Sequence, residues 1–350
     1  MLLTARIAIA VAASIFLVGA AEAASKQIRI ALQLPKDSHL YENLDFFKQR
    51  VEKGTSGALE IVIAHSGQLI KEQDAPEAVA TGAVEMASVA VNQYGTVIPA
   101  VDLFVQPFML AHPPTLVAAT GPGSPVRAPI DQAILERVGA RVLWWQSSGT
   151  TVIVSKDAPL RTPAAIAGKS VRVSTESEGE FIKLCGGVPR IIPAAAHYDA
   201  YESAQVIAGS STIAAVPVRK FWNVTNFVTY TRHRTAEFVV TINERLWKSL
   251  PADQRRVLEE AGREAESKLQ ARAEQIESEA HALAAKNGMT MVELTKDERD
   301  QWKRCAAPML DAYLDRSGQL GAEVMAGYRK ILVDAHRRTP VELRQDRVPK

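Results

Sequence analysis

Residues 28–91 read strand, helix, strand, helix, strand, and no other feature of the sequence restricts the fold as much. Ile28-Arg29-Ile30-Ala31-Leu32 alternates as a half-buried strand does. Over 40–53, Leu44, Phe47 and Val51 fall on one helical face. Thr55-Ser56-Gly57 marks a turn before the strand at 59–63. A helix begins over 75–80, stops near Gly82, and is followed by an apolar strand at 84–91. Such alternation packs as βαβ units on a parallel sheet. Beyond Pro107-Phe108 and the loop Gly121-Pro122-Gly123-Ser124-Pro125, the pattern predicts a helix at 129–138 and a strand at 141–145.

A second block repeats this grammar. Strands are expected at 151–155, 170–173, 211–218 and 238–242, with helices at 163–167, around 181–184 and at 198–208. The residues do not repeat but the order of elements does, which implies two similar α/β lobes. The texture then changes. After Pro251 there is no further Pro and one Gly up to Lys286, and Val257, Ala261, Ala265, Leu269 and Ile276 recur at helical spacing. One helix of that length would run about 54 Å and brace both lobes; a break near Gly262 is the alternative.

The first residues are an address. Arg6 precedes an apolar run over 7–18, and small residues at Ala21 and Ala23 complete a secretory signal with cleavage after Ala23. A run of twelve residues is short for a bilayer span. The product is expected to be periplasmic, secreted through that signal, and the basic tail at 336–350 to lie on the surface. An oxidising compartment allows Cys185 and Cys305 to pair, and spacing leaves two separately buried thiols at least as open. With 41 Lys and Arg against 39 Asp and Glu, the chain has no field to hold a polyanion, which argues against nucleic acid.

No G-x-S-x-G, H-E-x-x-H, P-loop or C-x-x-C motif occurs, and no His stands at metal-ligand spacing from another His or a Cys. No catalytic residue, metal site or cofactor is expected; the chain reads as a binder, not an enzyme.

Short motifs then sharpen the reading. They include Ser66-Gly67-Gln68-Leu69, Gly82-Ala83-Val84-Glu85-Met86, Gln106-Pro107-Phe108, Gly168-Lys169-Ser170-Val171-Arg172-Val173 and Gly186-Gly187-Val188-Pro189. Tyr198-Asp199-Ala200-Tyr201-Glu202-Ser203, Lys220-Phe221-Trp222 and Asn243-Glu244-Arg245-Leu246-Trp247 follow in order. Over residues 27–330 the chain resembles the dicarboxylate-binding (DctP-type) solute-binding proteins of tripartite ATP-independent periplasmic (TRAP) transporters. The resemblance implies a two-lobed periplasmic-binding-protein fold, type II-like, with a long helix spanning both lobes. Lobe I would comprise 24–148 plus about 237–265, and lobe II 149–236 plus about 266–335. The implied partners are a small organic acid, caught between the closing lobes, and the membrane permease subunits that receive it. A sensory binding protein for a membrane receptor, or an exported enzyme on the same scaffold, is the alternative.

In that family the Arg of the G-x-x-x-R-V strand, here Arg172, grips the ligand carboxylate. The chemistry suits: guanidinium is planar, permanently charged and offers a fork of donors that matches a carboxylate. Thr151 stands where the family often has a second Arg, Ala90 replaces an acidic residue, and Ala204 to Ala208 lacks the usual Asp and Gly residues. The resemblance thus implies a pocket less charged than in the family's sugar-acid binders, and a monocarboxylate ligand with an apolar or aromatic body rather than a sialic or sugar acid. Trp144 and Trp145 put one indole on each face of their strand, and Trp145 is taken as a cleft residue. Gln33 and Asn92 are the expected first-lobe contacts, with Thr175 and Ser211 in the second.

Overall fold

A computed structural model describes residues 25–338 of the 350-residue chain. The secretory signal at 1–23 and the tail beyond Arg338 lie outside the described residues. The strands are β1 (Lys26–Leu32), β2 (Leu59–Ala64), β3 (Met86–Ala90), β4 (Ala140–Ser155), β5 (Ser170–Val173), β6 (Val188–Ile191), β7 (Ala208–Thr212), β8 (Phe227–Tyr230), β9 (Thr235–Asn243) and β10 (Thr290–Glu293). They hydrogen-bond in the order β2-β1-β3-β9-β4-β7-β5-β6, with β8 on β4 and β10 on β8. Within each half the pairs are parallel: β1 with β2 and β3, and β5 with β6 and β7. The halves meet through antiparallel pairs made by β4 and β9.

The strand β4 is the shared element. Its 16 residues pair with β9 over Ala140 to Thr150 and with β7 over Thr151 to Ser155. The sequence predicts two strands here, because Ser147-Ser148-Gly149-Thr150 interrupts the apolar pattern. The ladder nevertheless continues through register shifts at Val142/Trp144 and Ser147/Gly149, and Gly149 takes φ 102°, a conformation that favours glycine. The pattern breaks because the middle of this strand faces the space between the halves.

The helix His39–Gly54 starts at Ser38, whose Oγ accepts from the Tyr41 N–H, and buries Leu40, Leu44, Phe47 and Val51. The long helix is one piece, Ala252–Lys286, about 52 Å at 1.5 Å per residue. It does not break at Gly262, where a Cβ would come within 3.0 Å of Trp144 Cε3; the glycine lets helix and strand pack closely. Leu258, Ala265 and Leu269 pack with Ile28, Phe47 and Trp144 of the first half. Ala280 and Ala284 pack with Val152, Tyr201 and Phe221 of the second. The helix therefore braces both.

The C-terminal helix Pro308–Arg338 bends at Gly318 (φ 59°, ψ −150°). Met309, before the bend, joins Trp302 and Phe181 in the second half. Tyr313, Val324, Met325 and Tyr328 join Ile98, Ile130 and Trp145 in the first. Most of the apolar face of this helix is thus buried on elements of the first half. Cys185 and Cys305 form a disulfide that ties the end of helix Glu176–Leu184 to helix Lys296–Ala306. Closing so long a loop stabilises the fold by about 2–4 kcal/mol.

Candidate functional site

Between the halves lies a cavity of about 80 Å³, lined by both and by β4 and β9. Its most constrained side chain is Arg172. On β5, Val171 and Val173 point into the second-half core, so the alternation sends Arg172 to the other face. That face is not solvent, for Arg172 is only 5% exposed. Its Nε donates to the Ile192 carbonyl at 2.7 Å and its Nη1 to the Ser210 carbonyl at 2.9 Å. Its Nη2 is buried with no partner. Two backbone clamps thus fix the guanidinium while one edge stays free. Gly209 beside it is a steric requirement: a Cβ would meet His197 Nε2 at 2.4 Å and Tyr201 Oη at 2.8 Å.

Glu178 supplies the counter-charge. It lies in the first turn of helix Glu176–Leu184, capped by Thr175, whose Oγ1 accepts from the Glu178 N–H. Oε1 accepts from Ser210 Oγ at 2.6 Å and is ion-paired with Arg234 Nη2; Oε2 accepts from the Ser174 N–H at 2.7 Å. Burial alone would raise this carboxyl, but Arg234, Arg172 and the serine donors hold it well below the usual carboxylate range. Burial pushes Arg172 below the usual guanidinium value, with Glu178 and Glu72 opposing. His197 stacks on Tyr201 at 4.9 Å and is held neutral by burial and by the charges of Arg172 and Arg219. Arg219, just past helix Ala215–Val218, also has a sealed Nη2 without a partner; burial and then Arg172 push it down to about 10.

The first half contributes mostly apolar cover, including Leu34, Val91, Phe104 and Val105. Polar groups there reach across the gap. Asn92 Nδ2 donates to Ser174 Oγ at 3.4 Å and Thr175 Oγ1 at 3.3 Å. Glu72 accepts from the Ala194 N–H at 3.2 Å, and Asp102 accepts from Ser177 Oγ at 3.0 Å. On β9, Glu237 accepts from Ser147 Oγ at 2.8 Å, and burial pushes its carboxyl up to about 7.

Of the residues predicted from sequence, the structure brings Arg172, Asn92, Thr151 and Ser211 to this cavity. Thr151 Oγ1 is buried there without a partner. Gln33 is not in the lining: its Nε2 donates to the Ile70 carbonyl and secures a loop. Thr175 caps a helix and bonds Asn92 behind the wall. Trp145 packs in the first-half core with Nε1 on Asp131, and Trp144 fills the other core. Neither indole faces the cavity. Trp145 borders a larger space, about 570 Å³, on the side of the long helix, where Glu237, Glu266, Glu274 and Glu277 collect. That space lacks sealed, unpartnered donors among the described residues, so the smaller cavity carries the stronger chemistry.

The cavity is charged: Arg219, Arg234, Glu72 and Glu237 line it beside Arg172. These charges come from segments outside the motifs. Lone charges in such segments are usually solvated, so nothing in the local pattern flags them. The one usable signal is Glu178, three residues after Thr175 in a helix-start pattern beside the Arg172 strand.

Among known proteins, the chain is 26% identical over 292 residues to the C4-dicarboxylate-binding periplasmic protein DctP of Rhodobacter capsulatus, covering 81% of this chain and 84% of that one. Its fold matches DctP7, a Bordetella pertussis extracytoplasmic solute receptor binding pyroglutamic acid, with a TM-score of 0.83 at 21% identity over 87% of this chain and 100% of that one. It also matches a TRAP periplasmic solute-binding protein of Chromohalobacter salexigens with bound D-glucuronate, with a TM-score of 0.81 at 20% identity over 86% and 99%. The model of the bacterial extracellular solute-binding proteins, family 7 (DctP), covers residues 30–316, and the chain belongs to that family.

Proposed function

We propose that the protein is the periplasmic receptor of a TRAP-type transporter, which closes two lobes on a small organic acid and delivers it to membrane permease subunits. The observation that carries this reading is the Arg172 guanidinium, clamped by two backbone carbonyls with its third nitrogen sealed and unpartnered at the cavity. A buried donor left unmatched is costly, and a ligand carboxylate removes that cost while forming a charge-assisted bond. Relatives that bind pyroglutamic acid and D-glucuronate support a carboxylate as the ligand class. In this reading the bodies that close are 24–148 with 237–265 and 149–236 with the segment from 266, the bent C-terminal helix riding on the first.

The role is capture and release rather than catalysis. Glu178, the carboxylate nearest in charge to Arg172, is engaged by Arg234 and two serines and held far below the range of a general base.

A thermal-shift and calorimetric screen of organic acids on residues 24–350 tests the proposal. The parent should bind at least one small carboxylate with a Kd between about 1 μM and 1 nM. Arg172→Ala should weaken it by about 2–5 kcal/mol, and Arg172→Lys should fall between, since a point charge lacks the fork. Equal shifts for the parent and both variants would remove Arg172 from the site.

A further inference from the structure

The cavity holds more positive charge than Arg172 alone explains. Arg172, Arg219 and Arg234 all line it. Arg234 is paired with Glu178, which leaves Arg172 and Arg219, each with an Nη2 that is buried and unpartnered. The charge of Arg172 disfavours the charge on Arg219, and no protein carboxylate forms an ion pair with Arg219 among the described residues. A fold tolerates two such cations side by side when something absent from the chain completes them.

One carboxylate does face both. Glu72, only 4% exposed, comes in from the first half and exerts its charge on Arg172 and on Arg219. Its hydrogen bond goes to the Ala194 N–H of the second half, and it forms no ion pair with either arginine among the described residues. Each arginine also feels one carboxylate outside the lining, Glu178 for Arg172 and Asp37 for Arg219, but Glu178 is already ion-paired with Arg234, and neither carboxylate forms an ion pair with Arg172 or Arg219 among the described residues.

We infer that Arg219 is a second ligand-binding residue beside Arg172, and that Glu72, as a fixed counter-charge, makes the cavity select singly charged acids over doubly charged ones. The inference rests on the receptor reading above and deepens it. A carboxylate has two oxygens and can satisfy two donors at once. A second carboxylate on the ligand would find Glu72 and Glu237 in a lining of limited volume, with no guanidinium left to meet it. In so confined a space the unmatched charge is strongly disfavoured.

Calorimetry with pyroglutamate and D-glucuronate as singly charged probes and succinate as the doubly charged one tests this, on the parent and on R219Q, R219K, E72Q and R172A. The parent should prefer a singly charged acid. R219Q should weaken that acid by about tenfold or more, with R219K partly restoring it. E72Q should shift the succinate preference upward by about tenfold. Unfolding curves without ligand accompany each variant, and if R219Q does not fold, E72Q decides: an unchanged preference overturns the inference. Binding lost in R172A but unchanged in R219Q overturns it while sparing the receptor reading. A parent that prefers succinate overturns the selectivity, and a parent that binds none of the three overturns both.

Discussion

The two walls of the cavity are built on opposite plans. The second-half wall is charged and tightly determined: Arg172 is held by the Ile192 and Ser210 carbonyls, and Glu178 is held by Arg234, Ser210 and Ser174. The first-half wall is mainly apolar, with Leu34, Val91 and Phe104, and its polar groups Asn92, Glu72 and Asp102 spend their hydrogen bonds on the opposite half. In the proposed reading the gripping cations thus sit on one wall, and most of the groups that bond across the gap sit on the other. A rigid wall keeps the guanidinium in one pose whether or not ligand is present. A wall that bonds across the gap makes closure separable from grip.

The largest way to break this contrast is Glu178→Gln. The substitution keeps the shape but leaves Arg234 buried without its partner, a change that costs about 3–5 kcal/mol in comparable sites. Urea unfolding of the ligand-free protein measures it. The pH dependence has a definite sign: the carboxyl is held below its unfolded value, so its contribution is present above the ordinary carboxylate range and fades only as the pH falls toward its depressed value. A loss below about 1 kcal/mol at pH 7 would mean that the pair behaves as an exposed one, and the rigid-wall account would fail.

A smaller effect tests the seam between the walls. Glu237 is flanked by Ser147, Thr235, Arg234 and Glu277, and burial pushes it up to about 7. Its unfolded value is the ordinary 4.5, so folding favours the neutral form, and raising the pH through about 7 both costs stability and adds a negative charge to the cavity. Glu237→Gln should therefore stabilise the protein at pH 8, by up to about 3 kcal/mol, and have little effect at pH 5. Affinity for a singly charged acid should fall from pH 6 to pH 8 in the parent and stay level in the variant. Level affinity in both would place Glu237 outside the electrostatics of the site.

The same contrast explains what was legible in the sequence. Apolar periodicity exposed β1, β2, β5, β9 and the long helix, because each buries one face and repeats at a fixed period. The strand β7 is displaced from its expected place: the sequence predicts a helix at 198–208 and a strand at 211–218, whereas the structure has helix His197–Glu202, β7 at Ala208–Thr212 and helix Ala215–Val218, and the small residues of β7 give little apolar signal because Arg172, His197 and Tyr201 crowd Gly209. Arg172 was found because it sits inside a motif. Arg219 and Glu72 were not, because a charge looks the same in sequence whether water or another buried charge completes it, and the helix-start signal at Glu178 says nothing of its ion-pair partner. Gln33 and Trp145 erred in the opposite direction, polar and aromatic side chains placed near the strand ends but consumed by a loop carbonyl and a core.

The smallest effect bears on the first-half wall. Asn92→Ala removes two long bonds, to Ser174 Oγ and Thr175 Oγ1, and touches neither Arg172 nor Glu178. If closure and grip are separable, the ligand-free protein should unfold at nearly the same urea concentration as the parent. Binding should weaken by about 0.5–1.5 kcal/mol, because each closed complex loses part of its latch. The loss should appear mainly as faster ligand release, since the bonds exist only across the closed gap. Arg172→Lys, by contrast, alters the grip while leaving those bonds in place, so the two changes combined should add. Strong non-additivity between them would show that Asn92 helps to aim the ligand at Arg172, and the division of labour between the walls would have to be redrawn.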